Sequence, residues 1–107
     1  MTDRQRMDIG GMMPWRVTNR WHNTIELTDE RWKHIKFYHP ELANLRDEVL
    51  KTVRYGKRRQ DPLEPTKYIY YRRTKKLLPK YNGIVVVAKL ERNNFVITAY
   101  PIFRHSW

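Results

Sequence analysis

Arg31, His34 and Tyr38 lie at i, i+3 and i+7, a spacing that in a helix puts them on one stripe. An imidazole with an ordinary pKa of about 6.5, set beside a guanidinium and a phenol, can take up or give back a proton near neutral pH. The other reading of His34 is a partly buried ring satisfied by one hydrogen bond. His39 is a second proton-transfer candidate, with the alternative that it caps the helix Pro40 would begin. In the run FVITAY, strand alternation predicts Phe95, Ile97 and Ala99 on the core face and Val96, Thr98 and Tyr100 on the other. With Ile69 turned to the core, Arg72 joins Thr98 and Tyr100. Such a patch can hold a phosphate and stabilise charge developing on it. Equally, Thr98 and Tyr100 are ordinary strand formers and Arg72 a solvated charge.

Other chemistries are poorly served. The chain has no cysteine, so disulfides, thiolate metal sites and cysteine nucleophiles are excluded. No histidine or carboxylate spacing suits a zinc or two-metal site, and the 4 glycines form no phosphate- or dinucleotide-binding pattern. The expectation is therefore no metal and no cofactor. His, Arg, Lys, Thr and Tyr suit cleavage of RNA, where the 2′-hydroxyl is the nucleophile and the protein moves protons and stabilises a phosphorane. Charge points the same way: 22 Lys and Arg against 11 Asp and Glu give +11 over 107 residues, which predicts a polyanionic partner. An aromatic content of 13% argues for a folded chain. Without a membrane-length apolar run or a signal-like N-terminus, a soluble, cytoplasmic protein with no membrane partner is expected.

These residues need elements to hold them. Residues 1–14 read as a flexible arm and 15–107 as a single domain. Trp15 to Leu27 hints at an extended segment. Thr28 is a hydroxyl N-cap with Asp29 and Glu30 in the first turn, so a helix should run to about Tyr38. A second helix is expected from Pro40, with Leu42, Leu45, Val49, Leu50 and Val53 as its apolar stripe and Gly56 as its end. Lys57 to Thr66 reads as a polar loop. Tyr68–Arg73, Ile84–Leu90 and Phe95–Tyr100 read as strands, the second buried, with Pro101 as a stop. The predicted class is α+β: two N-terminal helices packed on a three- to four-stranded antiparallel meander sheet.

RWKHI at Arg31–Ile35, HPEL at His39–Leu42, YYRR at Tyr70–Arg73, the IVVVAKL strand and ITAY at Ile97–Tyr100 occur in an order that resembles the phage-type branch of the barnase–EndoU–colicin–RelE (BECR) ribonuclease superfamily. The resemblance covers about residues 28 to 101. It implies a metal-independent ribonuclease, often a toxin or effector, with His34, Arg72 and Thr98 as catalytic residues and His39, Arg73 and Tyr100 in support. The doubled YYRR leaves open which arginine is equivalent; parity favours Arg72.

The leading expectation is an RNA endonuclease leaving 2′,3′-cyclic phosphate and 5′-hydroxyl ends. His34 would transfer the proton, Arg72 would clamp the scissile phosphate, and Thr98 and Tyr100 would orient it. Lys57, Arg58 and Arg59 would steer the RNA backbone, and Arg31, Tyr38, Tyr68, Tyr70 and Lys89 would complete the nucleic-acid surface. One alternative is a non-catalytic RNA- or ribosome-binding module whose tyrosines stack on bases. Another is an inactive fold of the same kind that binds an acidic antitoxin or immunity protein.

Overall fold

The computed structural model describes residues 14–107. The expected arm therefore lies outside the described residues except for Pro14. Among the described residues six strands form one sheet: β1 (Trp15–Thr18), β2 (Thr24–Leu27), β3 (Lys57–Gln60), β4 (Lys67–Arg73), β5 (Gly83–Leu90) and β6 (Asn94–Ile102). Two helices, α1 (Asp29–Tyr38) and α2 (Arg46–Tyr55), sit between β2 and β3 in the chain. The strand order is β1-β2-β6-β5-β4-β3, and every pairing is antiparallel except β2 with β6, which is parallel.

This corrects the expected fold class. The helices are not N-terminal, since a hairpin precedes them, and the sheet is mixed and six-stranded rather than an antiparallel meander of three or four. The extended segment expected within Trp15–Leu27 is two strands joined by a turn, and two physical causes account for what was not foreseen. The β1–β2 hairpin turns at Asn19–Asn23 through polar side chains, with His22 in the left-handed region at φ 67°, and carries none of the usual glycine turn signals. β3 is the sheet's edge strand, and its KRRQ run lacks the apolar alternation that marks a half-buried strand; charged residues are what an edge strand carries.

The helices also depart from expectation. Thr28 caps α1 as its type predicts, its Oγ1 accepting from the Arg31 N–H at 3.1 Å. Pro40, however, begins only a 3-10 turn, Pro40–Leu42, and the chain leaves helical geometry at Leu45 (φ −122°, ψ 31°) before α2 starts at Arg46. Asn44 at the break is a residue whose side chain competes with helical backbone bonding. Leu42, Val49 and Val53 are still fully buried, joined by Trp32 and Ile35 of α1. Gly56 ends α2 where any Cβ would collide with the carbonyl oxygens of Thr52 and Tyr71, so the helix end passes tightly against β4.

β5 lies between β4 and β6, and Ile84, Val86 and Ala88 face the helices with Tyr70, Val96 and Ala99. A bulge at Ile97 resets the β6 register, pairing Val87 with Thr98 but Ala88 with Val96. Val96 and Ala99 thus share the core face, in place of the expected Phe95, Ile97 and Ala99. Pro101 does not stop the strand; it pairs with Ile84.

The sheet curls until its two ends meet over the core. Asn19, 5% exposed, uses its whole amide. Its Oδ1 accepts from the backbone N–H groups of Trp21 (2.9 Å) and Asn23 (3.0 Å), and its Nδ2 donates to Asn23 Oδ1 (3.3 Å) and to the Tyr70 hydroxyl (2.6 Å). From β3, Arg58 donates to Asn23 Oδ1 at 3.0 Å and lies 4.1 Å from the Trp21 ring centre and 4.4 Å from that of Tyr68. Removing the Tyr70 hydroxyl (Tyr70→Phe) is expected to cost about 1–3 kcal/mol, the range for a buried donor left unpaired. Urea unfolding checks it, and an unchanged midpoint would show that the hydroxyl does not hold the closure.

Candidate nucleic-acid interface

The register divides the sheet into two chemically different faces. The helix side carries Tyr68, Tyr70 and Arg72 from β4 with Ile84, Val86 and Ala88 from β5. The opposite side has no helix over it among the described residues and carries Ile69 and Tyr71 (β4), Val85 and Val87 (β5), and Thr98, Tyr100 and Ile102 (β6). Basic residues on that side are Lys57 and Arg59 of β3, Lys67 and Arg73 of β4, and Lys89 of β5; no open-face position of β3–β6 is a carboxylate. Lys67 and Lys89 are partly neutralised by loop carboxylates, Glu64 at 3.2 Å and Glu91 at 4.0 Å. A concavity of about 320 Å³ lies in this face, lined by Arg59, Ile69, Tyr71, Val85, Tyr100, Ile102 and Arg104. Two phenol rings and two guanidiniums around an apolar floor can stack bases and hold phosphates.

The expected catalytic set does not assemble. Ile69 faces outward, so Arg72 is on the helix side, across the sheet from Thr98 and Tyr100. There its Nη2 donates to Glu48 Oε1 at 2.6 Å, an oxygen that also accepts from the Thr74 hydroxyl at 3.1 Å. Lys51 stands 3.7 Å from the other carboxylate oxygen. Arg72 is the counterion of a buried acid. Burial works against the charge on Glu48, but the hydrogen bonds from Arg72 and Thr74, with the charges of Arg72 and Lys51, outweigh it and hold the carboxyl below its ordinary value.

His34 is half-buried and its ring lies against Tyr38, centres 4.8 Å apart and planes tilted by 52°; among the described residues no hydrogen bond or ring contact joins it to Arg72 or Thr98. Arg31 donates to the Ile97 carbonyl at the β6 bulge (3.2 Å), tying α1 to that strand. Tyr38 is exposed. His39 and Tyr100 do come together, their ring centres 6.1 Å apart. This meeting is possible because β2 pairs with β6 only at Phe95, which leaves the rest of that edge to α1 and the 3-10 turn.

The expected nucleic-acid residues also divide. Lys57, Arg59 and Lys89 lie on the open face, as does Arg73 of the expected catalytic set, whereas Arg58, Tyr68 and Tyr70 are taken up in the closure, Tyr70 with no exposure at all. Sequence reasoning missed Tyr71 and Arg104. Tyr71 is concealed by aromatic neighbours on both parities (Tyr68 and Tyr70), and Arg104 reaches the face because the chain folds back after β6. It missed Glu48 as well, although an acid beside Val49 and Val53 on the apolar stripe is a legible sign of a buried carboxylate. Among the described residues no cluster of three or more His, Asp and Glu could hold a metal ion, and no helix is long and apolar enough to cross a membrane. Compared with known proteins, the chain matches no family model, no curated protein and no solved structure.

The Glu48 pair has a pH signature. A carboxyl held below its ordinary value in the folded state contributes stability that is full above the unfolded pKa and is lost as pH falls through the folded one. Glu48→Ala should therefore cost most at neutral pH, near or below the lower end of the roughly 3–5 kcal/mol for a broken buried pair, since Arg72 keeps some solvent access. The deficit should shrink as pH falls below the ordinary glutamate value of 4.5. Melting curves across pH check this; a pH-independent deficit would remove the ion pair as its cause.

Proposed function

We propose that this protein is a basic, single-strand RNA-binding module that uses the helix-free face of its sheet. The observation that carries the reading is Tyr71 and Tyr100 with Arg59 and Arg104 around one concavity, on a face whose strand positions hold no carboxylate. Stacking of bases on tyrosines is tolerant of sequence, and the surrounding cations supply a salt-dependent grip on phosphates. An open, aromatic sheet suits unpaired bases better than a duplex, whose bases are already stacked on one another.

Fluorescence anisotropy with a short single-stranded oligoribonucleotide tests it. Tyr71→Ala and Tyr100→Ala should each weaken binding by about 1–3 kcal/mol, the value of a base–aromatic stack. Lys57→Ala with Arg59→Ala should flatten the dependence of affinity on salt while the melting temperature holds. Arg58→Ala should do the reverse, lowering the melting temperature with little change in slope, because Arg58 is spent in the closure. If both tyrosine variants bind as the parent does, the face is not the site.

A second reading, the metal-independent endonuclease of the BECR type, is supported by the His39–Tyr100 approach beside the same face. In this reading His39 rather than His34 transfers the proton, with Tyr100 orienting the phosphate. Cleavage would persist in chelator and leave 2′,3′-cyclic phosphate ends, and His39→Ala would slow it by roughly 10²–10⁴-fold. Intact RNA after long incubation with pure protein would leave the binding reading alone, whereas full cleavage by His39→Ala would remove His39 as the proton-transfer group.

A further inference from the structure

We propose that the end of the open face at Gly83 and Tyr71 is a subsite for one unpaired base of single-stranded RNA, and that Trp107 fills it in the free protein. The proposal rests on the RNA-binding reading above and gives that face a specific way of being occupied.

Gly83 is an open-face position of β5, paired with Arg73 on one side and Ile102 on the other. A Cβ there would run into Cζ2 and Cη2 of the Trp107 ring, so the indole rests directly on the strand where a side chain is missing. The Tyr71 ring is beside it, with centres 6.5 Å apart and planes 34° from parallel. The Arg104 guanidinium lies 4.7 Å from the Trp107 ring centre and 5.5 Å from that of Tyr71. A flat heteroaromatic group against a bare strand, flanked by a phenol and covered by a guanidinium, is the arrangement in which proteins hold a nucleobase. An indole and a purine are close in size and both present a π face.

Two features mark Trp107 as a displaceable occupant. Its Nε1–H is buried and has no hydrogen-bond partner among the described residues, so seating the indole strips that group of water without replacing it. The chain just before it is fixed independently: Asn82 donates to the Arg104 carbonyl at 2.6 Å and accepts from the Arg104 N–H at 2.9 Å. Residues 105–107 can therefore swing away while the Arg104 guanidinium stays over the vacated seat, available to an incoming base and its phosphate.

The test measures Trp107 and affinity together. The full chain is labelled with 5-fluorotryptophan, the Trp107 fluorine signal is assigned by its loss in Trp107→Ala, and a short single-stranded oligoribonucleotide is titrated in. The Trp107 signal of the parent should move toward that of solvent-exposed tryptophan as RNA saturates. Trp107→Ala should bind about three- to tenfold tighter, the gain when a site is freed of a plug that fills it most of the time. Equal or weaker binding by Trp107→Ala, or RNA binding that leaves the Trp107 signal in place, overturns the subsite and leaves the RNA reading standing. Absence of binding by both parent and variant overturns the two together. Binding by the variant alone supports both.

Discussion

The hydrogen bond from the Asn19 amide to the Tyr70 hydroxyl is the point on which this fold closes. It joins the turn of the β1–β2 hairpin, at one end of the strand order, to β4 near the other end. A six-stranded sheet meets such an appointment only by strong twist and curl, and the curl gives the helices a concave surface to fill. Tyr70 is fully buried, so its hydroxyl needs a partner, and Asn19 is the residue that supplies one with all four of its bonding positions in use. Arg58 adds a second link by filling the space between Trp21 and Tyr68.

Closure decides which residues remain for function. On the helix side, Arg72 is committed to Glu48, Arg58 to Asn23 and Tyr70 to Asn19. Each is a residue type that binds RNA elsewhere, and each is consumed here by a polar group that burial would otherwise leave unpaired. Across the sheet the strand residues carry no comparable buried ion pair or amide network among the described residues, and the buried polar group there without a partner is Trp107 Nε1. Tyr71, Arg59 and Arg73 face outward one strand position away from residues that are locked, so a shift of one residue in register separates structural from available chemistry.

That shift is also why the sequence was only partly legible. Where one principle dominated, the residues spoke clearly: the Thr28 cap, the apolar positions Trp32, Ile35, Val49 and Val53, and the three strands on either side of two turns. β3 was opaque because an edge strand of charged residues has no apolar period. The β1–β2 hairpin was opaque because its turn is built from asparagine side chains across five residues rather than from a glycine pair. The face of Arg72 was misassigned through Ile69: KYIYYRR has large apolar or aromatic groups on both parities, and only the Glu48 counterion, 24 residues away, settles which side is in. Thr98 and Tyr100 fell on the open face while their expected core partners changed, because the bulge at Ile97 is a three-dimensional event with no local signature.

The central claim is that RNA meets the helix-free face, and amide chemical-shift mapping addresses it most directly. The molecule offers a competing basic surface, the groove between β1 and α2 lined by Arg16, Lys51 and Arg54. Titrating a single-stranded oligoribonucleotide into the ¹⁵N-labelled protein should shift the amides of Lys57, Arg59, Tyr71, Tyr100 and Arg104, and leave those of Arg16, Lys51 and Arg54 in place. Shifts concentrated on the β1–α2 groove, with the β4–β6 amides unmoved, would contradict the account.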